Sequence, residues 1–453
     1  MKVVYDISLL GAGSRRGYPR GGIFRMVENV AVGLMGSADC DTVFSAVRNP
    51  IESLRYWRGS PELRGAPLSL TSLSKLAGGQ KLLLKEMLGL ENGSGPVSRR
   101  SLFRFLTEGL RRPLAGITRA LEARLDPIDR RDLSQAQIFH STFYAIPQQV
   151  RREKRIKKFV TIYDLIPILY PTFCPLQNQD LLSVLENVNE EEDAILCVSQ
   201  STKNDVCDYL KIEPSRVFVV YPAASRELFY PCADEGRISA VRRKYGIPDK
   251  PFLLTLGRLE ARRNINHAIR CFARLVQQEK IKDLNFVLIG SKGWRYEDIF
   301  REISHYGGLK DRIFFTGHAA DEDLAPLTSG ALAFVYPSFY EGFGLPPLEA
   351  MQCGAPVIAS NTSSLPEVVG DAGILTAPSD ADALCQAILN VYRNGSLREE
   401  LSKRSMEQAK QFSWEKTTQS MVRAYRASLG NDITSKDGQG DPALRSFDKR
   451  AGG

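Results

Sequence analysis

No uninterrupted apolar run in the 453 residues approaches the ~18 that a membrane-spanning helix needs, and the opening MKVVYDISLLGAG lacks the longer apolar segment of a signal peptide. The expected location is therefore the cytosol. The eight cysteines (Cys40, Cys174, Cys197, Cys207, Cys232, Cys271, Cys353, Cys385) contain no CxxC pair, and the four histidines do not cluster. That spacing argues against a zinc site and for reduced, mostly buried thiols, so no metal is expected. With 43% apolar and 25% charged residues the chain is neither disordered nor collagenous. Its length exceeds the ~250–300 residues at which single cores stop growing, so two domains are expected.

Positive charge is in excess but unevenly spread. Fifteen Lys or Arg against eight Asp or Glu lie between Ile51 and Arg131, which accounts for most of the net charge of +8. The patches SRRSLFRFLTEGLRRPL (Ser98 to Leu114) and RREKRIKK (Arg151 to Lys158) suit either a solvated helical face or anionic lipid head groups. No nucleic-acid motif accompanies them, so no nucleic-acid partner is expected. In Leu70 to Leu125, Leu82 to Leu84, Met87, Leu88, Leu102, Phe103, Phe105, Leu106 and Leu110 interleave with Lys81, Lys85, Arg99, Arg100, Arg104, Arg111 and Arg112. That mixture fits an interfacial helix as well as one packed on the first domain.

Elsewhere short apolar runs alternate with helical periodicity. VVYDIS (3–8), TVFSAV (42–47), QIFHS (137–141), KFVTIY (158–163), AILCVS (194–199) and RVFVVYP (216–222) are strand candidates in the first half. The spacing of Ile23, Val27, Val30, Ala31 and Leu34 predicts a helix after a Gly-rich loop. FLLTLG (252–257), NFVLIG (285–290), IFFTG (313–317), ALAFVYPS (331–338), PVIAS (356–360) and GILTAP (373–378) repeat the pattern, with helices over 265–277 and 381–393. The fold class is thus α/β, two doubly wound parallel sheets with a helical basic insertion (51–131) in the first. The domains are expected at 1–235 and 236–413, with a linker near Pro231 to Lys250. A C-terminal helix over 414–430 returns towards the first, and a polar, disordered tail covers 431–453.

In such sheets ligands sit beyond the carboxyl ends of the strands. One strand ends at Gly257, and Arg258 and Arg263 follow across a loop that opens a helix, a setting for a diphosphate or, alternatively, two solvated arginines. A second strand runs into Glu341-Gly342-Phe343-Gly344; Pro346 and Pro347 then start a helix with Glu349 on its first turn and Gly354 at its end. Two carboxylates facing one crevice suit a sugar and a ribose, and the Phe343, Gly344 and Leu345 amides suit phosphates between them. A helix-dipole role explains Glu349 alone. His140, at the end of QIFHS, is placed to line the cleft; His267, His305 and His318 have no triad-like company.

The segment PSFYEGFGLPPLEAMQCGAPVIASNTSSLPEVVGDAG, with its E-x7-E from Glu341 to Glu349, and GRLEARRN before it, resemble the retaining glycosyltransferases of family 4. FHSTFYAIP, TIYDLIPILYP, CVSQSTKNDV and VVYPAAS fall in that family's order, so the resemblance covers most of Met1 to Leu429 outside 51–131. It implies the GT-B fold and metal-independent transfer of a hexosyl unit, with retention, from a nucleoside diphosphate sugar to a glycan or lipid-linked saccharide. Glu341 then corresponds to the donor-sugar glutamate, Glu349 to the ribose glutamate and Arg258 to the diphosphate arginine. Arg263 stands where lysine is usual. Gly21 and Gly22 match the glycine loop of the acceptor side. Tyr163 stands where many members have histidine, so that residue's role falls to Tyr163, Asp164 or His140. The wording is similar to bacterial mannosyltransferases of surface polysaccharide synthesis, which favours GDP-mannose over a UDP-hexose. An epimerase, a glycan phosphorylase or a non-catalytic membrane-binding scaffold of the same shape are the other classes, and the first two lack their acid/base or cofactor-lysine signatures.

Overall fold

The computed structural model describes residues 1–13, 21–70, 126–174 and 179–430. Most of the basic insertion (71–125) and the polar tail 431–453 lie outside the described residues. Seven parallel strands make the first sheet: β1 (Lys2–Asp6), β2 (Asp41–Ser45), β3 (Leu68–Ser69), β4 (Ile138–Ser141), β5 (Lys157–Ile162), β6 (Ala194–Cys197) and β7 (Val217–Val219), in the order β3-β2-β1-β4-β5-β6-β7. The second contains β8 (Phe252–Leu256), β9 (Asn285–Ile289), β10 (Ile313–Gly317), β11 (Ala333–Tyr336), β12 (Val357–Ser360) and β13 (Ile374–Thr376), in the order β10-β9-β8-β11-β12-β13. The central strands are buried on both faces because helices cover both, which is why they read as continuous Val, Ile, Leu and Phe, whereas β7, β10 and β13 towards the sheet edges are only partly buried. Only β3 escapes the sequence pattern: two residues on an edge carry no periodicity.

The described ends of the insertion are structured. Pro50–Gly59 is a helix, β3 closes the sheet edge, and Asp129 caps the helix Arg130–Gln135 through the Arg131 amide. The stretch expected as a linker also carries a helix, Glu235–Lys244, which docks on the second half through Ile238 and Val241. Lys244 and Tyr245 share Asp323 there, at 2.5 and 2.8 Å. Its polarity is that of a solvent face, since two apolar positions one turn apart suffice to dock so short a helix.

After the second sheet the chain returns. Ser413 caps the helix Trp414–Ser428 at the Lys416 amide, and the buried face of Thr417, Thr418, Met421, Val422 and Tyr425 lies on the helix Gly22–Met35. Tyr425 reaches under β4, where its hydroxyl meets His140 Nδ1 at 2.6 Å; His140 Nε2 meets Thr161 Oγ1 at 2.7 Å. The expectation that His140 lines the cleft is thereby corrected. The ring is fully buried, both nitrogens are taken, and burial pushes its pKa down to about 3. Strand alternation decides this, because a residue at a strand end faces either the cleft or a covering helix and the sequence does not say which.

Tyr425→Phe leaves His140 Nδ1 without its partner in a dry site, so stability should fall by about 1–3 kcal/mol, read as a lower urea midpoint at unchanged slope. The neutral imidazole also makes the fold acid-sensitive. Because the folded pKa lies below the ordinary 6.5, the unfolded chain takes up a proton that the fold refuses. That contribution is present above the ordinary pKa and lost progressively as pH falls towards about 3. A His140→Gln variant should show a shallower stability profile across that window.

Candidate active site

The site forms where loops at the carboxyl ends of the two sheets meet. Gly342 makes the meeting possible: a Cβ there would lie 2.3 Å from the Tyr163 carbonyl oxygen and 3.0 Å from Asp164 Cβ. The Gly342 carbonyl then accepts hydroxyls from Ser199, at 2.6 Å, and Thr202, at 3.1 Å, both from the first half. Glu367 reaches across in the opposite direction. Its carboxylate accepts the amides of Gln200 and Ser201, at 2.7 and 2.8 Å, and the Tyr221 hydroxyl at 3.0 Å, so it caps the helix Gln200–Leu210 of the first half. Burial raises its pKa against the pull of these donors.

Glu341 is 7% exposed. Its Oε1 accepts Arg262 Nη1 at 2.7 Å and the hydroxyls of Tyr336 and Ser338, both at 2.8 Å; among the described residues none reaches Oε2. Burial would raise the pKa of this carboxyl, but the charges of Arg262 and Arg263 and the bonds from Arg262 and Tyr336 outweigh it and hold the group below its usual value. Arg262 also bonds Glu260 Oε1, at 2.6 Å, and the Tyr340 carbonyl. Asp164 stands on the other wall of the seam. It accepts the Ile166 amide at 3.0 Å, and burial lifts its pKa against that bond and the nearby Arg262.

On the β8 loop, Gly257 adopts φ +124°, and a Cβ on it would fall 1.6 Å from Arg263 Nη1. Only glycine allows the turn and the passage of that guanidinium. Arg263 donates to the Leu256 carbonyl at 3.0 Å and lies 5.5 Å over the Tyr336 ring. Arg258 is exposed and has no partner among the described residues. The helix Leu345–Gln352 starts at Gly344 without a side-chain cap, and the Phe343, Gly344 and Leu345 amides have no acceptor among the described residues. Its N-terminus meets that of the helix Gly22–Met35, for a Cβ on Gly22 would touch Leu345 Cδ1 at 2.4 Å. Gly21 precedes that helix in extended conformation. The Phe343 side chain turns away, between Tyr221 and Phe412.

Glu349 falls on the second turn of its helix, where the sequence suggests the first. It is as buried as Glu341, and Arg25 of the first half bonds its Oε1 at 3.2 Å. Here burial wins, and the pKa rises to about 7, because Arg25 is itself partly in water and its charge is screened. The Tyr163 hydroxyl is spent on the Thr142 carbonyl at 3.0 Å. Of the expected site residues, then, Glu341, Glu349, Arg258, Arg263, Gly257, Gly342, Gly344, Leu345, Gly22 and Asp164 converge on the seam, and His140 does not. Sequence reasoning misses Arg262 and Arg25. One is the first of an arginine pair and the other lies three residues after the glycine pair, and spacing alone marks neither as inward.

Two parallel sheets of Rossmann-like topology facing each other across a seam are the GT-B architecture. Sucrose-phosphate synthase of Thermosynechococcus elongatus has the same fold, with a TM-score of 0.63 at 21% identity over 95% of this chain and 99% of that one. Anabaena Alr3699/HepE, solved with UDP and glucose, gives 0.59 at 16% identity, covering 94% of this chain and all of that one. Residues 238–408 match the family described as "Glycosyl transferases group 1". O-antigen chain mannosyltransferase B of Escherichia coli is 33% identical over 293 residues, 64% of this chain and 74% of that relative. The serotype-specific mannosyltransferase WbdA of Escherichia coli is 30% identical over 297 residues, but only 36% of its length is spanned. The chain belongs to the group 1 glycosyltransferases, enzymes that move a hexosyl unit from a nucleotide sugar to a glycan acceptor.

Glu349 burdens the unliganded fold. A carboxyl whose folded pKa is raised from 4.5 to about 7 favours folding below the lower value and loses that contribution as pH rises through the upper one. Glu349→Gln should therefore stabilise the ligand-free protein at alkaline pH by about 1–3 kcal/mol and leave it unchanged at acid pH, as thermal unfolding at pH 8 and pH 4 would report.

Proposed function

We propose that this chain is a retaining mannosyltransferase that moves mannose from GDP-mannose onto a glycan or lipid-linked saccharide during bacterial surface polysaccharide synthesis. The observation that carries the reading is the 33% identity, over 74% of its length, to a relative named for mannosyl transfer in the O-antigen chain. The donor lies on residues 236–413 and the acceptor on 1–235, with the helix of 414–430 tying the two. Glu341 offers Oε2 to hydroxyls of the donor sugar, and Glu349 takes the ribose. Arg258, exposed and unpaired among the described residues, holds the diphosphate with Arg263 and the Phe343, Gly344 and Leu345 amides, where Gly257 and Gly342 let the backbone come close. Gly21, Gly22, Tyr163 and Asp164 border the acceptor.

Retention fits front-side attack. The anomeric C–O bond to the diphosphate breaks as the acceptor oxygen bonds the same face, and the departing phosphate oxygen takes the acceptor's proton. Positive charge on Arg258 and Arg263 favours that step because negative charge grows on the diphosphate as the bond breaks. The basic segment 71–125 serves as a peripheral contact with anionic lipid, bringing the enzyme to lipid-linked acceptors.

Calorimetry with GDP, UDP and ADP tests the donor; GDP should bind tightest, and a preference for UDP would replace the donor with a UDP-hexose. Glu341→Ala should abolish transfer while leaving GDP affinity nearly intact. Arg258→Ala should weaken GDP binding by roughly 1.5–3 kcal/mol, the range of a charge-assisted bond. Equal loss of GDP affinity in both variants would sink this division of labour. Changing Arg99, Arg100, Arg104, Arg111 and Arg112 to Gln should reduce pelleting with anionic liposomes, and equal pelleting would rule out the electrostatic contact.

A further inference from the structure

Two carboxylates and one guanidinium are packed behind the sugar end of the site with almost no water around them. Arg262 lies between Glu341 and Glu260, at 2.7 and 2.6 Å, and its side chain is 11% exposed. A third bond goes to the Tyr340 carbonyl, so the plane of the guanidinium is fixed from three sides. Tyr340 is in turn tied to Asp205 and Ser201 of the first half, which anchors this carbonyl to the rest of the protein. On Glu341 every bond lands on one oxygen. Arg262, Tyr336 and Ser338 all address Oε1, which leaves Oε2 without a partner among the described residues. A carboxylate that rotated freely would share its donors between both oxygens.

We infer that Arg262 is a positioning residue for sugar transfer: it holds Glu341 ionised and presents Oε2 to the hydroxyls of the donor hexose. The inference rests on the reading of Glu341 as the sugar-binding carboxylate. The groups that face Glu341 are Arg262, Arg263 and Tyr336 of the second half and Asp164 of the first. Arg262 stands first among those that oppose the effect of burial. Without it, burial is opposed by Arg263 and Tyr336 alone and shifts the balance towards the protonated acid, and a neutral carboxyl is a weaker acceptor for a hydroxyl and is free to turn. Lysine restores one charge and one bond to the site but has no fork to span Glu260, Glu341 and the Tyr340 carbonyl together.

The test compares Arg262→Met, Arg262→Lys and Glu341→Gln with the wild type. Turnover is followed with GDP-mannose, or with UDP-glucose if that is the donor used, across pH 5 to 9. Affinity for the corresponding nucleoside diphosphate is measured alongside. Arg262→Met should lower kcat by about 100-fold, as expected of a misplaced site group, with nucleoside diphosphate affinity unchanged. The acid limb of its pH profile should move up by roughly 1–3 units as Glu341 loses the larger of its two counter-charges. Arg262→Lys should return the limb towards the wild-type position with only part of kcat, a pattern that a merely structural role would not produce. Should the Met variant not fold, the Lys variant decides alone: reduced kcat at unchanged nucleotide affinity supports the inference, and wild-type kcat overturns it. Wild-type kcat and acid limb in Arg262→Met beside an inactive Glu341→Gln overturn the inference while sparing the role of Glu341. A fully active Glu341→Gln overturns both.

Discussion

Carboxylates are costly to bury, and this molecule buries two of them, Glu341 and Glu349, and partly buries a third, Glu367, along the line where its two sheets meet. Glu341 is held by an arginine of its own half, Glu349 by an arginine of the other half, and Glu367 by two amides and a phenol of the other half. An uncompensated charge at any of these points would be worth several kcal/mol against the fold, so the partners are obligatory. Each partnership is also a geometric statement. It fixes which helix end, which loop and which strand end can stand opposite one another, and with them the space along the seam.

The three pairs differ in how completely they are satisfied, and that difference has chemical meaning. Glu341 is overcompensated and stays ionised, whereas Glu349 is undercompensated, with its pKa near neutrality. The first is therefore a firm acceptor with one oxygen in reserve. The second is left with a partly solvated guanidinium as its nearest counter-charge. The exposed Arg258 and the uncapped amides before Leu345 complete the contrast: positive character is left open at the seam, while negative character is buried. A site built in this way sacrifices stability for readiness, as functional sites commonly do.

Much of this is legible in the chain. Strands buried on both faces announce themselves as apolar runs, and twelve of the thirteen stand out by composition alone, because a parallel sheet covered by helices leaves no polar alternation to confuse the pattern. The loops after β8 and β11 are equally plain. Gly342 has no local reason to be glycine unless another backbone passes close by, Gly257 is required by its turn as well as by a passing side chain, and the E-x7-E spacing sets both carboxylates near one helix start. What these features share is locality: strand identity, turn chemistry and helix punctuation are decided within about ten residues of chain.

Tertiary structure decides everything that depends on a partner far away in sequence. His140 lies next to the end of its strand, as a cleft residue would, yet Tyr425, 285 positions later, claims its ring from the covered side of the sheet. Arg262 and Arg263 are neighbours with the same side chain, but one turns to Glu341 and the other lies over Tyr336, a choice made by the packing of the β8 and β11 loops. Arg25 meets Glu349 only because the Gly22 and Leu345 helix starts are pressed together. Composition and periodicity determine which segments become strands and helices, since those preferences are carried by each residue's own backbone and side chain. Which charges pair, which carboxyl stays ionised and which face of a strand end sees the substrate follow from desolvation in the assembled fold, and desolvation exists only once distant segments have excluded water from one another.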